Sequence, residues 1–189
     1  LNILHTGTFK DVKNREKDNL LVLSKDGIRI GLLNYTYGTN GLPFSDPVYV
    51  NLVDSVLIKK DVTNAKNKDL DKLVVFVHWG YEYRDFPNSY QKKYNRFFQD
   101  LGVDIVIGSH PHVIQPMEYS KKNNQEFLTV FSLGNFVSNQ RAERKDGGAM
   151  LRLSFIKTDN NLLISRKEYI PVWVHKFIEQ EKYHFQILP

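Results

Sequence analysis

The sequence predicts a mixed α/β (α+β) fold from three observations. Two runs, LVVFVH (73–78) and DIVIGSH (104–110), are apolar and rich in Val and Ile. A helical pattern lies between them. After Pro116 the chain changes to strand-like segments separated by polar turns. Continuous apolar runs suit strands covered on both faces, and the strand–helix–strand order makes them a βαβ unit with parallel strands. The first part reads as α/β and the second as mostly antiparallel β.

Taken in order, residues 20–24 (LLVLS) and 28–35 (IRIGLLNY) read as a hairpin around the turn Lys25–Asp26–Gly27. Residues 36–47 carry Gly38, Gly41, Pro43 and Pro47 and read as a loop. Asp54 is placed to cap a helix running to about Lys66, with Leu57, Ile58, Asp61, Val62 and Ala65 at helical spacing. Between the two apolar runs, Tyr90, Tyr94, Phe97, Phe98 and Leu101 mark one helix face. Asn88 or Ser89 is the cap and Gly102 the stop. Residues 127–133, 148–157 and 162–175 read as strands pairing antiparallel, with turns at Lys121–Asn124 and Asp159–Asn161. Residues 1–175 are expected to form the domain part and 176–189 a C-terminal tail.

Composition narrows the function classes. At 189 residues, 41% hydrophobic and 25% charged, the chain can bury one real core and is not a disordered segment. The 26 basic and 21 acidic residues leave a net charge of +5. That charge is spread along the sequence, without the concentrated stripe of a nucleic-acid domain. It is compatible with an anionic partner such as a phosphate ester or a polyanion. The absence of cysteine excludes disulfides, zinc–thiolate sites and cysteine nucleophiles. No apolar run approaches the roughly 20 residues of a membrane-spanning helix.

The chemistry lies in where the histidines fall. His78 ends one apolar strand, and His110 and His112 end the next. Ligand sites of parallel α/β sheets form at the carboxyl ends of the strands, so all three imidazoles are expected in one crevice. His110 and His112 are two apart, so in extended backbone both can face the same side. Imidazole is the commonest ligand for transition metals. One such His is more often a satisfied core or loop residue; three at one sheet edge favour a metal or phosphate site.

HWGYEY (78–83), GSHPHVIQPMEY (108–119) and SLGNFVSNQR (132–141) resemble the signature segments of the bacterial capsule-synthesis (CapA, poly-γ-glutamate) family. HTGTFKD (5–11) and NYTYGTNG (34–41) resemble its intervening segments. The resemblance covers about residues 1–175. It implies a branch of the calcineurin-like metallophosphoesterases: a β-sandwich flanked by helices, with two divalent metals (Mn, Zn or Fe) held by ligands from both halves of the domain. His78 then corresponds to that fold's isolated strand-end His. Gly108, His110 and His112 correspond to its Gly-x-His-x-His segment. The metal candidates are His78, His110 and His112, and the catalytic candidates His78, Glu82 and His110.

The resemblance also implies a role in capsule or cell-envelope polymer metabolism, at the envelope or outside the cytoplasm. The superfamily's Asp ligands and Asn–His pair are not found, so the chain is expected to be the C-terminal half of the domain. The ligands it lacks would come from the N-terminal half or from a self-associated copy. An apolar sheet edge beside the His-bearing strands is expected to be left open. A non-catalytic module gripping an anionic polymer is the alternative.

Several polar residues keep two readings. Glu82, four residues after His78, is a partner of a metal histidine or an acid, or a solvated loop carboxylate. Glu118 either orients an imidazole or forms a strand-edge salt bridge. Asn135, after Gly134, reads first as a turn residue and second as a polar group at the site rim. Arg141 and Arg144 can grip an anion or be solvated, and Asn40 is equally ambiguous. Trp79 and Trp173 read as packing residues, and His5, His175 and His184 as structural or surface.

Overall fold

The computed structural model describes residues 3–122, 125–159 and 161–189. Its elements run β1 (Thr8–Phe9), α1 (Val12–Asp18), β2 (Leu21–Lys25), β3 (Ile28–Thr36), β4 (Tyr49–Val50), α2 (Ser55–Lys66) and β5 (Lys72–His78). They continue as α3 (Ser89–Asp100), β6 (Ile105–Ser109), β7 (Met117–Lys122), β8 (Gln125–Val130), β9 (Gly147–Lys157), β10 (Leu162–Glu179) and β11 (Lys182–Leu188). Three sheets form: β1–β4, a six-stranded sheet in the order β2-β3-β5-β6-β8-β7, and a three-stranded sheet β11-β10-β9.

Local chemistry explains the elements. Asp26 and Gly27 both take positive φ, 51° and 73°, which is what a tight hairpin turn matching strand twist requires. The Asp54 carboxylate accepts from the Leu57 N–H at 2.7 Å and starts α2. Asn88 and Gln91 form a reciprocal capping box on α3. Gly102, at φ 75°, follows the end of that helix. β3, β5 and β6 run parallel, with α2 and α3 as crossovers. The chain thus contains a second βαβ unit, β3-α2-β5, ahead of the predicted one.

The layers are helices, six-stranded sheet and three-stranded sheet. Leu73, Val75 and Val77 of β5 pack with Ile58, Val62, Ala65 and Phe98 of the helices. On the other face, Val74, Ile105 and Leu128 meet Ile164, Leu153 and Phe155 of the three-stranded sheet. Each of these side chains, when fully buried, stabilises the fold by about 1.5–3 kcal/mol. Phe76 follows Val74 on that second face and is 38% exposed, so the covering sheet stops short of the His78 end of β5.

Four expectations need correction. The His-bearing strands β5 and β6 are internal, each paired on both sides; the sheet edges are β2 and β7. What lies open beside His78 is therefore a face and not an edge. β8 spans Gln125–Val130 and pairs parallel with β6, not only antiparallel with β7. The run FLTVF (127–131) has no polar alternation because all five of its residues are buried. The strand expected over 162–175 continues to Glu179. In place of a tail, residues 182–188 return as β11, in register from Trp173–Leu188 to Glu179–Lys182. Short or polar elements (α1, β1, β4 and β7) carry too little periodicity to announce themselves. Part of each predicted turn, residues 123–124 and 160, lies outside the described residues.

A buried polar network joins the first elements. Arg15 of α1 donates to Asp61 of α2 at 2.6 Å and to Asn51 Oδ1 at 2.8 Å. Tyr35 of β3 donates to the same Asp61 oxygen at 2.9 Å. Asn51 in turn donates to Asn19 Oδ1 at 2.7 Å. Burial, then the Asp61 charge, pushes the Tyr35 phenol far above its usual range, so it stays protonated and donating. Asp61, read from sequence as one position of an apolar helix face, is the acceptor for both neighbours.

Candidate metal centre

Strand ends bring the histidine rings close to one another, but not on the extended backbone expected for His110 and His112. β5 and β6 are in register with His78 beside Ser109, and the chain leaves β6 directly into His110 and His112. Both histidines adopt left-handed backbone, φ 101° and 58°. For non-glycine residues this costs on the order of 1–3 kcal/mol each and is held by surrounding structure. The holding contacts are visible. Tyr83, itself at φ 63°, donates its N–H to the Pro111 carbonyl at 2.7 Å. The Gln115 N–H bonds to the Ser132 carbonyl at 3.0 Å.

Gly108 is needed one step earlier. A Cβ there would collide with the Phe131 carbonyl and with the indole nitrogen of Trp79. Those two groups are hydrogen-bonded to each other at 3.0 Å, and Trp79 is fully buried. The glycine of Gly-x-His-x-His thus serves a close approach between strands, and Trp79 is a core packing residue.

The donors that meet are Glu82, His110 and His112, with one ligand atom of each within 4.8 Å of the others. His78 adjoins this group without sharing it: its ring lies 4.6 Å from that of His110, centroid to centroid. Its Nδ1 is 3.1 Å from Ser109 Oγ. Burial first, then the neighbouring His110 and His112, push the His78 imidazole down to about 4, against a weaker opposing pull from Glu82. Burial likewise lowers His110, with Glu82 opposing. Both rings are neutral near pH 7, as ligands must be.

Two observations fit a cation. His110 is buried, and its Nδ1 has no hydrogen-bond partner among the described residues. A buried, unpartnered ring nitrogen is costly unless something fills it. His112 Nδ1 lies 2.8 Å from Asn135 Oδ1. The Asn135 amide nitrogen donates to the Lys145 carbonyl at 2.7 Å, which fixes Oδ1 as the acceptor toward His112. His112 must then carry its proton on Nδ1 and present the Nε2 lone pair. Metal-binding histidines are oriented in this way. Asn135, read first as a turn residue, is the group that selects the tautomer, while the positive φ of the turn falls on Gly134.

The remaining candidates divide. Asn40 accepts from the Tyr37 hydroxyl at 2.7 Å. Tyr37 stands against His110 and His78, with ring centroids 4.6 and 5.8 Å away, so Asn40 reaches the site through Tyr37. Arg141 is committed elsewhere, donating to the Val174 and Ser138 carbonyls at 2.6 Å. Arg144 pairs with Asp85 at 2.6 Å. Glu118 is exposed on edge strand β7 opposite Thr129 and bonds to no imidazole among the described residues. Sequence reasoning passed over Tyr37, Tyr83, Ser109 and Lys145. Their one signal was position: three of the four sit within five residues of a histidine or at a strand's carboxyl end.

Comparison with known proteins bears on the family and the fold. Residues 1–140 match the family described as bacterial capsule synthesis protein PGA_cap. The chain is 31% identical over 149 residues to the capsule biosynthesis protein CapA of Bacillus anthracis, covering 76% of this chain and 34% of that protein. It is 35% identical over 115 residues to the PGA biosynthesis protein CapA of Bacillus subtilis (strain 168), covering 61% of this chain and 28% of that one. It spans about a third of the length of these relatives. Among solved structures, the NAD nucleotidase of Haemophilus influenzae superposes with a TM-score of 0.54 at 11% identity, over 98% of this chain and 34% of that one. A 5'-nucleotidase precursor from Thermus thermophilus gives 0.50 at 14% identity, over 90% and 33%. These likenesses carry the fold alone, which is that of the calcineurin-like metallophosphoesterases. With the family match spanning most of its length, the chain belongs to the bacterial capsule synthesis protein family.

Proposed function

We propose that this chain supplies the histidine side of a divalent-metal centre in a phosphoesterase-type hydrolase of capsule or envelope polymer metabolism, with poly-γ-glutamate as the polymer that the family resemblance implies. The observation that carries the reading is the Glu82–His110–His112 cluster, with donors within 4.8 Å. His110 and His112 would hold the ion through ring nitrogens and Glu82 through a carboxylate oxygen. A bound divalent cation would supply Lewis acidity toward a phosphoryl or carbonyl oxygen and lower the pKa of water. His78, neutral beside His110 and hydrogen-bonded to Ser109, is the group placed to accept or return a proton. Tyr37 walls the same crevice.

Three donors suit one ion with an open position. A second ion needs further oxygen ligands from outside these residues, contributed by an adjoining segment of the same domain or by a second copy. The capsule connection supports a role at the cell envelope or outside the cytoplasm. Among the described residues no helix is long and apolar enough to cross a membrane.

Calorimetric titration with Mn²⁺ and Zn²⁺, alongside hydrolysis of p-nitrophenyl phosphate, tests the reading. Saturable binding that is abolished in His110→Ala and His112→Ala supports it. No binding by the unaltered chain overturns it. Metal-independent binding of a glutamate polymer without hydrolysis would favour the non-catalytic module.

A further inference from the structure

Beside the Glu82–His110–His112 cluster lies a lysine that forms no ion pair among the described residues. Lys145 Nζ sits 3.5 Å above the ring of Tyr83. Tyr83 stacks in turn on His112, with ring centroids 5.9 Å apart and planes 28° from parallel. Among the described residues, no carboxylate comes within ion-pairing distance of Lys145. Its neighbour Asp146 is turned away to accept from the Trp173 indole at 2.8 Å. Gln140 links the assembly, donating to the Tyr83 hydroxyl at 3.2 Å and accepting from Asn135 at 3.2 Å. The backbone carbonyl of Lys145 itself accepts from Asn135. The same loop thus fixes the His112 tautomer and sets an ammonium over the ring that covers His112. Lys145 lies beyond residues 1–140, the part that matches the family.

We infer that Lys145, seated on Tyr83, is an anion-binding subsite adjoining the Glu82–His110–His112 cluster. It takes an oxygen of a phosphoryl or carboxylate group of the ligand. Lys145 is half-buried as a residue, and an ammonium set over a π-face keeps N–H donors available for an anion. An anion held there would be separated from His112 by the Tyr83 ring, with Lys145 Nζ 3.5 Å and the His112 ring 5.9 Å from that ring's centroid. Tyr83 is 40% exposed, so a ligand can reach both. The inference rests on the metal-centre reading for its catalytic meaning, but not for its binding meaning.

The test measures binding of inorganic phosphate and of a glutamate tetrapeptide to the unaltered chain, Lys145→Met and Lys145→Arg, by chemical-shift titration. Each is run in chelator and again with Mn²⁺. In chelator, Lys145→Met should weaken the preferred anion about tenfold, as loss of a charge-assisted contact does. Lys145→Arg should retain most of the affinity, and Mn²⁺ affinity should change less than about twofold. Preference for phosphate or for the tetrapeptide identifies the anion's source. Equal anion binding by Lys145→Met and the unaltered chain, or no anion binding by the unaltered chain, overturns the subsite. Failure to bind Mn²⁺ with the chelator result intact would overturn the metal reading alone.

Discussion

His112 Nδ1 and Asn135 Oδ1 stand 2.8 Å apart, and the Asn135 amide nitrogen is tied to the Lys145 carbonyl. The two bonds together decide which nitrogen of His112 carries the proton. Replacing Asn135 with Ala removes that choice and leaves the strained His112 backbone without its side-chain anchor. Metal affinity should fall about 10–100-fold, as outer partners of metal histidines typically show. The secondary structure should persist. Calorimetry with Zn²⁺ beside circular dichroism checks both, and an unchanged affinity would mean that the hydrogen bond orients nothing.

Gly108→Ala should be among the most disruptive small changes in the chain. Its methyl would meet the Phe131 carbonyl and the Trp79 indole, neither of which is a flexible side-chain end. Overpacking of this kind costs about 1–3 kcal/mol, and here it also strains the turn into His110. Chemical denaturation should show that loss together with weaker metal binding. An Ala variant with the stability of the unaltered chain would mean that β6 and β8 can separate freely.

How much of this could be read beforehand follows from length and chemistry. β5, α3 and β6 were legible because apolar runs and capping residues act locally. That His78 and His110 lie side by side followed from strand ends, whereas the completion of the donor group by Glu82 and not His78 did not. The role of Asn135 was not legible, because its partner Lys145 lies ten residues on in a loop with no periodicity. The place of β8 in the parallel sheet was also hidden, since an apolar run does not say which neighbour it pairs with. Glu118 had two readings, an imidazole partner or a strand-edge salt bridge; it lies on edge strand β7 opposite Thr129, and among the described residues it makes neither contact.

The Arg15–Asp61 pair should behave as a buried network and not as a surface salt bridge. Both side chains are under a tenth exposed, and Asp61 also accepts from Tyr35. Removing one charge leaves the other buried and unpaired, at a cost of about 3–5 kcal/mol. Asp61→Ala should therefore unfold at much lower denaturant than the unaltered chain. The double variant Arg15→Met with Asp61→Leu should recover a large part of the loss. Additive losses in the double variant would show that the two charges do not depend on each other.

The last prediction concerns pH. The His78 imidazole is held down to about 4 in the fold, against an ordinary value of 6.5. The cause is burial first and then the adjoining imidazoles, so the folded chain favours the neutral ring. Between those two values the unfolded chain binds the extra proton and the folded chain does not. Acidification through this window therefore favours unfolding, while above pH 6.5 the group contributes nothing to the pH dependence. Carboxylates also titrate toward pH 4, so the informative quantity is a difference between variants. In chelator, the thermal midpoint should fall more between pH 6.5 and 4.5 for the unaltered chain than for His78→Asn. The asparagine retains a polar contact for Ser109 but cannot gain the charge. His78 is half-buried and solvent screens part of the effect, so a modest difference suffices, but its sign is fixed. An equal or steeper fall in His78→Asn would mean that the ring is already charged in the fold, and it could then neither accept a proton near pH 7 nor stand beside a bound cation.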